Sequence, residues 1–300
     1  MSAAEPRAHR GTIFVEDARV ISHDEYAGEQ FILRVRAPEC ARRAVAGSFA
    51  HVRCDRDIPM RRPLSIMRAD PTSGEVWFLY KIVGTGLAAL SRIEVGDELS
   101  ILGPIGNGFC PDPARPRKLM IGGGVGIPPM LFLAEQLRAA GQSLAESLVL
   151  MGSEVPFPFA TRDSTLTLAG IPDGVRTTIP ELEFNGIPVR LASLQGYPGC
   201  YTGYVTDLAA EWLSSIDPAL HDEVELFACG PEPMLAAAAR VAERFNLPCQ
   251  LSLEEFMACA VGGCAGCAVP IHGDGKVSMQ RVCVDGPVFP AKAVYPPEAG

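Results

Sequence analysis

Four cysteines close to the C-terminus, Cys259, Cys264, Cys267 and Cys283, stand in the spacing C-x4-C-x2-C-x15-C. This is the spacing of a [2Fe–2S] site. Two irons need four thiolates, and the first three must come from one loop folded around the cluster. Gly262, Gly263 and Gly266 lie between these cysteines. Glycine lets the backbone approach closely and turn N–H groups toward sulfur. Zinc would more naturally use paired C-x2-C units, and only one such pair is present. A chance cluster of buried cysteines is the remaining reading. The other six, Cys40, Cys54, Cys110, Cys200, Cys229 and Cys249, read as small core residues. The opening residues carry no apolar signal segment, so ten cysteines read as intracellular thiols rather than a disulfide framework.

The rest of the chain is organised around that tail. Its 300 residues allow two or three domains, and 48% hydrophobic with 20% charged residues is enough to bury true cores. Runs 11–21, 31–36, 48–54, 76–83 and 98–102 read as short strands separated by turn residues, which predicts a small barrel or sandwich over residues 1–112. In the second run Phe31, Leu33 and Val35 are expected on a buried face, alternating with Ile32, Arg34 and Arg36. A proline-rich linker, 111–116, then leads into a different pattern. Strand-length apolar runs at 118–121, 148–151, 189–192 and 224–228 alternate with helical spacings at 128–140, 204–213 and 232–245. That alternation predicts a doubly wound α/β domain over 113–250, with 251–300 as a small cluster domain. Segment 156–188, rich in proline and glycine, has no clear role. The most apolar stretch, 119–134, is too short and too rich in glycine and proline to span a membrane. A soluble, cytoplasmic protein is expected. A formal charge of −9 and an aromatic content of 7% argue against nucleic acid as a partner.

Two further motifs carry chemistry. Gly122, Gly123, Gly124, Val125, Gly126, Ile127, Pro128 and Pro129 fall between a strand and a helix, where a glycine loop can hold a pyrophosphate. The loop departs from G-x-G-x-x-G because Ile127 takes the place of the third glycine, so a tight turn without a ligand is an equal reading. Arg62, Pro63, Leu64 and Ser65 are followed by Leu79, Tyr80 and Lys81 and then by Gly84, Thr85, Gly86 and Leu87. Here basic side chains and glycine amides could meet a phosphate, or the stretch is only a strand pair with a turn.

Taken together, the three motifs resemble the ferredoxin–NADP reductase superfamily. Within it the chain is most similar to the electron-transfer subunits of NAD-dependent (class 1B) dihydroorotate dehydrogenases, over roughly residues 11–289. The resemblance implies a ferredoxin-reductase-like FAD-binding Greek-key β-barrel, a doubly wound NAD-binding α/β domain and a small C-terminal [2Fe–2S] domain. It implies that Arg62 grips the FAD pyrophosphate within the R-P-x-S motif, that Ser65 lies near the flavin ring, and that Leu79 to Lys81 and Gly84 to Leu87 complete the site. Leu87 replaces a threonine often found in relatives, so a side-chain hydrogen bond to the cofactor is lost there. Gly122, Gly123, Gly124 and Gly126 match the family's nucleotide loop. Cys229, Gly230 and Pro231 match the motif that borders the nicotinamide, where Cys229 either lines the hydride-transfer site or is a buried strand-end cysteine. Residues 253–259 and 281–289 match the family's tail, except that Phe256 stands where relatives often carry a basic residue.

The implied function is that of an oxidoreductase subunit. Nicotinamide moves two electrons as a hydride, a [2Fe–2S] cluster takes one, and a flavin converts between them. A partner containing FMN would oxidise dihydroorotate in pyrimidine biosynthesis, in a heterotetramer of two catalytic and two electron-transfer subunits. A flavin and iron–sulfur subunit of another complex, such as an NADH-dependent ferredoxin:NADP reductase, is the alternative, and a non-enzymatic iron–sulfur sensor is a third. No side chain of this subunit is expected to act as a catalytic acid, base or nucleophile. His9, His23, His51, His221 and His272 show no ligand spacing and receive no role. Glu154, after the 148–151 strand, sits where an acid can bind a ribose diol and favour NAD over NADP. Arg162 is close enough in sequence to blunt that argument, and such a residue is more often a solvated loop acid.

Overall fold

The computed structural model describes residues 12–297. Residue 11, where the first expected strand begins, and His9 lie outside them. The N-terminal part is a closed six-stranded barrel built from β1 (Phe14–Tyr26), β2 (Gln30–Arg36), β3 (Phe49–Val52), β4 (Arg62–Asp70), β5 (Glu75–Lys81) and β6 (Glu98–Ile105). The strands follow one another around the barrel as β1-β2-β5-β4-β3-β6. Closure removes the exposed edges that such short strands would otherwise present. Two short helices, α1 (Pro38–Arg43) and α2 (Gly84–Leu90), close gaps between strands. On β2, Ile32 is buried along with Phe31, Leu33 and Val35, because that end of the strand is covered from both sides. The expected alternation therefore holds only over its last residues.

The second part alternates β7 (Arg117–Gly123), α3 (Ile127–Ala139), β8 (Leu148–Gly152), β9 (Arg162–Asp163), β10 (Thr177–Thr178), α4 (Pro180–Phe184), β11 (Val189–Ala192), α5 (Val205–Ser215), β12 (Val224–Cys229), α6 (Glu232–Arg244) and β13 (Cys249–Ser252). Its sheet runs β11-β8-β7-β12-β13, all parallel. The interior strands β7 and β12 are apolar along nearly their whole length because helices cover both faces. Helix α6 buries Leu235, Ala238, Ala239 and Ala242 on one stripe. Helix α3 is buried almost all round, being caught between this sheet and barrel strand β4. Chain order reverses between β7 and β12, with β8 on the other side of β7. In open α/β sheets the ends of such strands are where ligands bind.

The tail forms a hairpin, β14 (Ala268–Gly273) with β15 (Lys276–Arg281), then β16 (Val288–Pro290) and α7 (Ala291–Val294). Strand β16 returns to the α/β sheet, antiparallel to β13. The expected boundary at residue 250 falls within β13. Two ion networks hold the parts together. Lys118 and Glu225 form a fully buried pair at 2.9 Å, and Glu225 also accepts from the Asp112 N–H while Lys118 donates to the Asp112 carbonyl. The linker is thereby sewn to the sheet. Arg68 of β4 pairs with Glu135 of α3 and, at 3.1 Å, with Glu181 of α4. Segment 156–188 consequently has a structural place. Glu183 accepts from Arg162, Ser164 and Thr165 within the segment, and its α4 reaches the barrel through Arg68. Among the described residues no helix is long and apolar enough to cross a membrane.

Candidate functional site

On the barrel, the two halves of the expected flavin motif meet. A Cβ on Gly86 would fall 2.8 Å from Arg62 Nε and 3.0 Å from its Cζ, so only glycine lets the Arg62 guanidinium lie across this turn. Arg62 Nη1 donates to the carbonyls of Met60 and Arg61, at 2.8 and 3.2 Å. Among the described residues no carboxylate pairs with Arg62, which leaves a cation beside an exposed glycine turn formed by Gly84 and Thr85. That arrangement suits a phosphate. Pro63, Ser65, Lys81 and Leu87 are half-buried around it. Leu64, Leu79 and Tyr80 are buried in the barrel core. Tyr80 stacks on Phe31, and its hydroxyl lies 2.8 Å from His23 Nε2. Any contact of Leu79 or Tyr80 with a ligand would have to come from the main chain.

On the α/β sheet, the glycine loop and the Cys229 motif are brought together at the switch point. Gly122 of β7 is the register partner of Cys229 of β12. The loop then presses directly on that neighbour. A Cβ on Gly126 would lie 2.3 Å from the Cys229 carbonyl oxygen and 2.5 Å from the Gly230 nitrogen. Gly122, Gly123 and Gly230 are similarly closed in, by Ile127 and Met234. Gly124 differs. Its φ is +55° and nothing stands within 4 Å of an added Cβ, so the loop opens there. Cys229 is fully buried, and Pro231 is exposed beside it. Burial chiefly, with a contribution from Glu254, pushes the Cys229 thiol far above its usual range, against a hydrogen bond with Ser252. Glu254 falls in the 253–259 tail match but receives no role there. It follows β13 at a position exposed overall, and loss of solvation at the carboxyl itself raises it. Nothing in the sequence signals that it faces Cys229, because the two are joined only through the β12–β13 pairing. Glu154 lies exposed just past the end of β8.

In the tail, the four cysteines come as two pairs. Cys267 and Cys283 are buried with their sulfurs 3.3 Å apart. Cys259 Sγ accepts from the Cys264 N–H at 3.4 Å, and Cys264 Sγ accepts from the Gly266 N–H at 3.4 Å. Left-handed Ala260 (φ +54°), Gly262 (φ +79°) and Ala265 (φ +54°) coil the loop so that its amides turn inward. At Cys259 burial opposes ionisation, but N–H groups of Val261, Cys264 and Gly263 outweigh it and bring the thiol down to about 7. At Cys283 burial, then the neighbouring Cys267, raises it to about 12. Among the described residues no three His, Cys, Asp or Glu side chains, these cysteines included, stand close enough together to hold a metal ion as they are placed. Two thiol pairs on an amide-lined loop fit a two-iron centre, which needs four sulfurs shared between its metals. Arg281 braces the loop, donating to the Gly262 carbonyl at 3.0 Å and to both carboxylate oxygens of Asp285.

The tail sits on the barrel. Phe49 of β3 and Ile105 of β6 share one small core with Met257, Ala260, Cys267, Cys283 and Phe289. Asn107 donates through its N–H to the Gly286 carbonyl at 2.6 Å and through its side chain to that of Asp285 at 3.0 Å.

Comparison with known proteins agrees with this arrangement. The family model for the iron–sulfur cluster binding domain of dihydroorotate dehydrogenase B matches residues 254–295. The chain is 32% identical to the dihydroorotate dehydrogenase B (NAD(+)) electron transfer subunit of Caldanaerobacter subterraneus subsp. tengcongensis, covering 92% of this chain and 97% of that one. It is 34% identical to the subunit of the same name from Geobacillus thermodenitrificans, over 93% and 98% of the two chains. A solved structure of NADH-dependent reduced ferredoxin-NADP oxidoreductase superposes with a TM-score of 0.72 at 24% identity, covering 93% of this chain and 90% of that one. The ferredoxin reductase of carbazole 1,9a-dioxygenase superposes at 0.59 with 19% identity, over 79% and 67%. These two likenesses concern the fold.

Proposed function

The chain belongs to the family of electron transfer subunits of dihydroorotate dehydrogenase B, and on that footing we propose that it relays electrons between an FMN-containing dihydroorotate dehydrogenase catalytic subunit and NAD, by way of a [2Fe–2S] cluster and FAD, in pyrimidine biosynthesis. One observation carries the reading. Phe49, in the core that surrounds Cys267 and Cys283, is the register partner of Ser65 in the flavin motif. A single strand pair thus joins the cluster loop to the flavin strand, and α3, which begins at the glycine loop, packs on that same strand.

The residues divide the work. Cys259, Cys264, Cys267 and Cys283 hold the two irons, and the loop amides offset the thiolate charge. Arg62 and the Gly84–Leu87 turn hold the FAD pyrophosphate. Gly122, Gly123, Gly124 and Gly126 admit the NAD pyrophosphate, and Cys229, Gly230 and Pro231 border its nicotinamide. Bound FAD supplies the conversion between hydride pairs and single electrons. The protein supplies spacing and shelter. Phe256 and Val261 in the cysteine loop, with Val277 and Met279 on the hairpin that follows it, are exposed and offer apolar side chains to the catalytic subunit, in a complex of two plus two chains.

Anaerobic purification with flavin, iron and sulfide counted tests the cofactors. One FAD, two irons and two sulfides per chain are expected, with NADH-driven dye reduction. A colourless preparation, or one without dye reduction, contradicts the reading. Co-purification with an FMN-containing dihydroorotate dehydrogenase tests the partner, and capture of a different flavoprotein instead would assign the chain to another complex.

A further inference from the structure

His51 is 1% exposed, and among the described residues neither ring nitrogen has a hydrogen-bond partner. An imidazole this buried with both nitrogens unpaired is costly, so its position calls for an explanation. The ring occupies a junction. His51 lies on β3 two residues from Phe49, which belongs to the cluster-loop core, and it is the register partner of Pro63 in the flavin motif. Arg61 Nη1 donates to the His51 carbonyl at 3.1 Å, which ties the same strand to the segment entering β4.

The surroundings of the ring favour opposite states. Burial first, then the charge of Arg61, holds the imidazole neutral and brings it down to about 4, with Arg62 adding to the effect. The carbonyls of Arg61 and Met257 lie near the ring and pull the other way, without closing a hydrogen bond to it. Both are acceptors, so they match an imidazolium with two N–H donors and mismatch a neutral ring, which has only one. The charges facing the ring are therefore two cations from the β4 side. The strap leading to Cys259 presents a carbonyl, and β6 presents Leu102 beside it in register. What would tip the balance is added negative charge on the cluster side.

We propose that His51 is the proton site of the iron–sulfur centre, neutral while the centre is oxidised and protonated from solvent when one electron arrives, with its two N–H groups then donating to the Arg61 and Met257 carbonyls. The electron comes from a reduced flavin, and each electron gained is balanced by up to one proton. This rests on the cluster reading above. His51 is a positioning and charge-balancing residue. It carries no electron itself.

The test is the midpoint potential of the centre in the purified chain, followed by electron paramagnetic resonance across pH, with iron and sulfide counted in the same samples. In the native chain the potential should fall with rising pH over part of the range, approaching about 59 mV for each tenfold drop in proton concentration, the one-electron limit. His51→Gln and His51→Asn should flatten that dependence while iron content stays full. A flat native profile with full iron overturns the inference and leaves the cluster reading intact, as does a slope that survives in His51→Gln. A native chain without iron overturns the cluster reading itself, and the inference with it. If neither variant assembles the centre, infrared difference spectra of the native chain with ring-15N histidine decide the matter. An imidazolium band on reduction supports the proposal, and its absence overturns it.

Discussion

The glycine loop at the switch point and the cysteine loop in the tail are built on opposite principles. At the switch point the chain fits itself. Gly126 lies against the Cys229 carbonyl, Gly123 and Gly230 lie against Met234, and β7 and β12 are fully paired on either side. The site is a by-product of the sheet and is formed before any ligand arrives. In the tail three left-handed residues in close succession carry one pair of cysteines that reaches solvent, while the second pair is buried against the barrel. Such a loop stores strain of about 1 kcal/mol or more at each left-handed alanine, which a bound metal would offset. On the proposed reading one site is made by the fold, the other by its ligand.

The sharpest way to break this contrast is Cys264→Ser. Cys264 is exposed, so the fold should lose no more than about 0.5 kcal/mol, whereas iron and sulfide should fall to background. Flavin should remain bound. Simultaneous loss of flavin in a cofactor count would show that the two sites are not independent. The converse change is Gly126→Ala. The new methyl meets backbone atoms that cannot swing aside, which should cost about 1–3 kcal/mol in a urea midpoint and abolish NADH-driven dye reduction. Gly124→Ala serves as the control. It meets nothing within 4 Å but adopts φ +55°, so about 1 kcal/mol is expected. If the two alanines behave alike, packing on Cys229 is not what shapes the loop.

Much of this was legible in the chain itself, and the gaps have physical causes. Expected strands at 118–121, 148–151, 189–192 and 224–228 appear within one or two residues, because buried parallel strands are continuous apolar runs. The sequence suggests a turn where α2 forms. Gly84, Thr85 and Gly86 have poor helix propensity, and only Arg62 and the barrel wall make the helix worthwhile. The hairpin of β14 and β15 left no pattern because β15 is exposed along four successive residues, so no alternation was imposed on it. Segment 156–188 stayed opaque since its order depends on Glu183 and Arg190, which are buried polar residues whose partners are distant carbonyls and hydroxyls. His51 was set aside for want of ligand spacing, although its burial between two domains could not be read from spacing at all. The cysteine motif is readable because chemistry dictates its residues, and the glycine motif because close backbone approach at Cys229 and Gly230 admits no side chain.

Smaller effects sharpen the comparison. Arg62→Ala removes a charge-assisted contact from a site that the barrel otherwise forms unaided. FAD affinity should fall roughly tenfold to a hundredfold, the equivalent of about 1.5–3 kcal/mol, with the urea midpoint nearly unchanged. Unaltered flavin stoichiometry after dialysis would remove Arg62 from the site.

Phe256→Ser should give the smallest change of all, and it separates the loop's two tasks. Phe256 is 94% exposed, so it contributes almost nothing to the fold, and its ring cannot be needed to seat the irons. Stability should stay within about 0.5 kcal/mol, and iron content should match the native chain. A ring this exposed is costly to solubility unless something covers it. Binding to the catalytic subunit, measured by titration calorimetry, should weaken roughly tenfold, as for a modest interface anchor. If binding is unchanged, the partner approaches the cluster from the hairpin side, where Val277 and Met279 are exposed, and the same measurement on Met279→Ser would then show the loss.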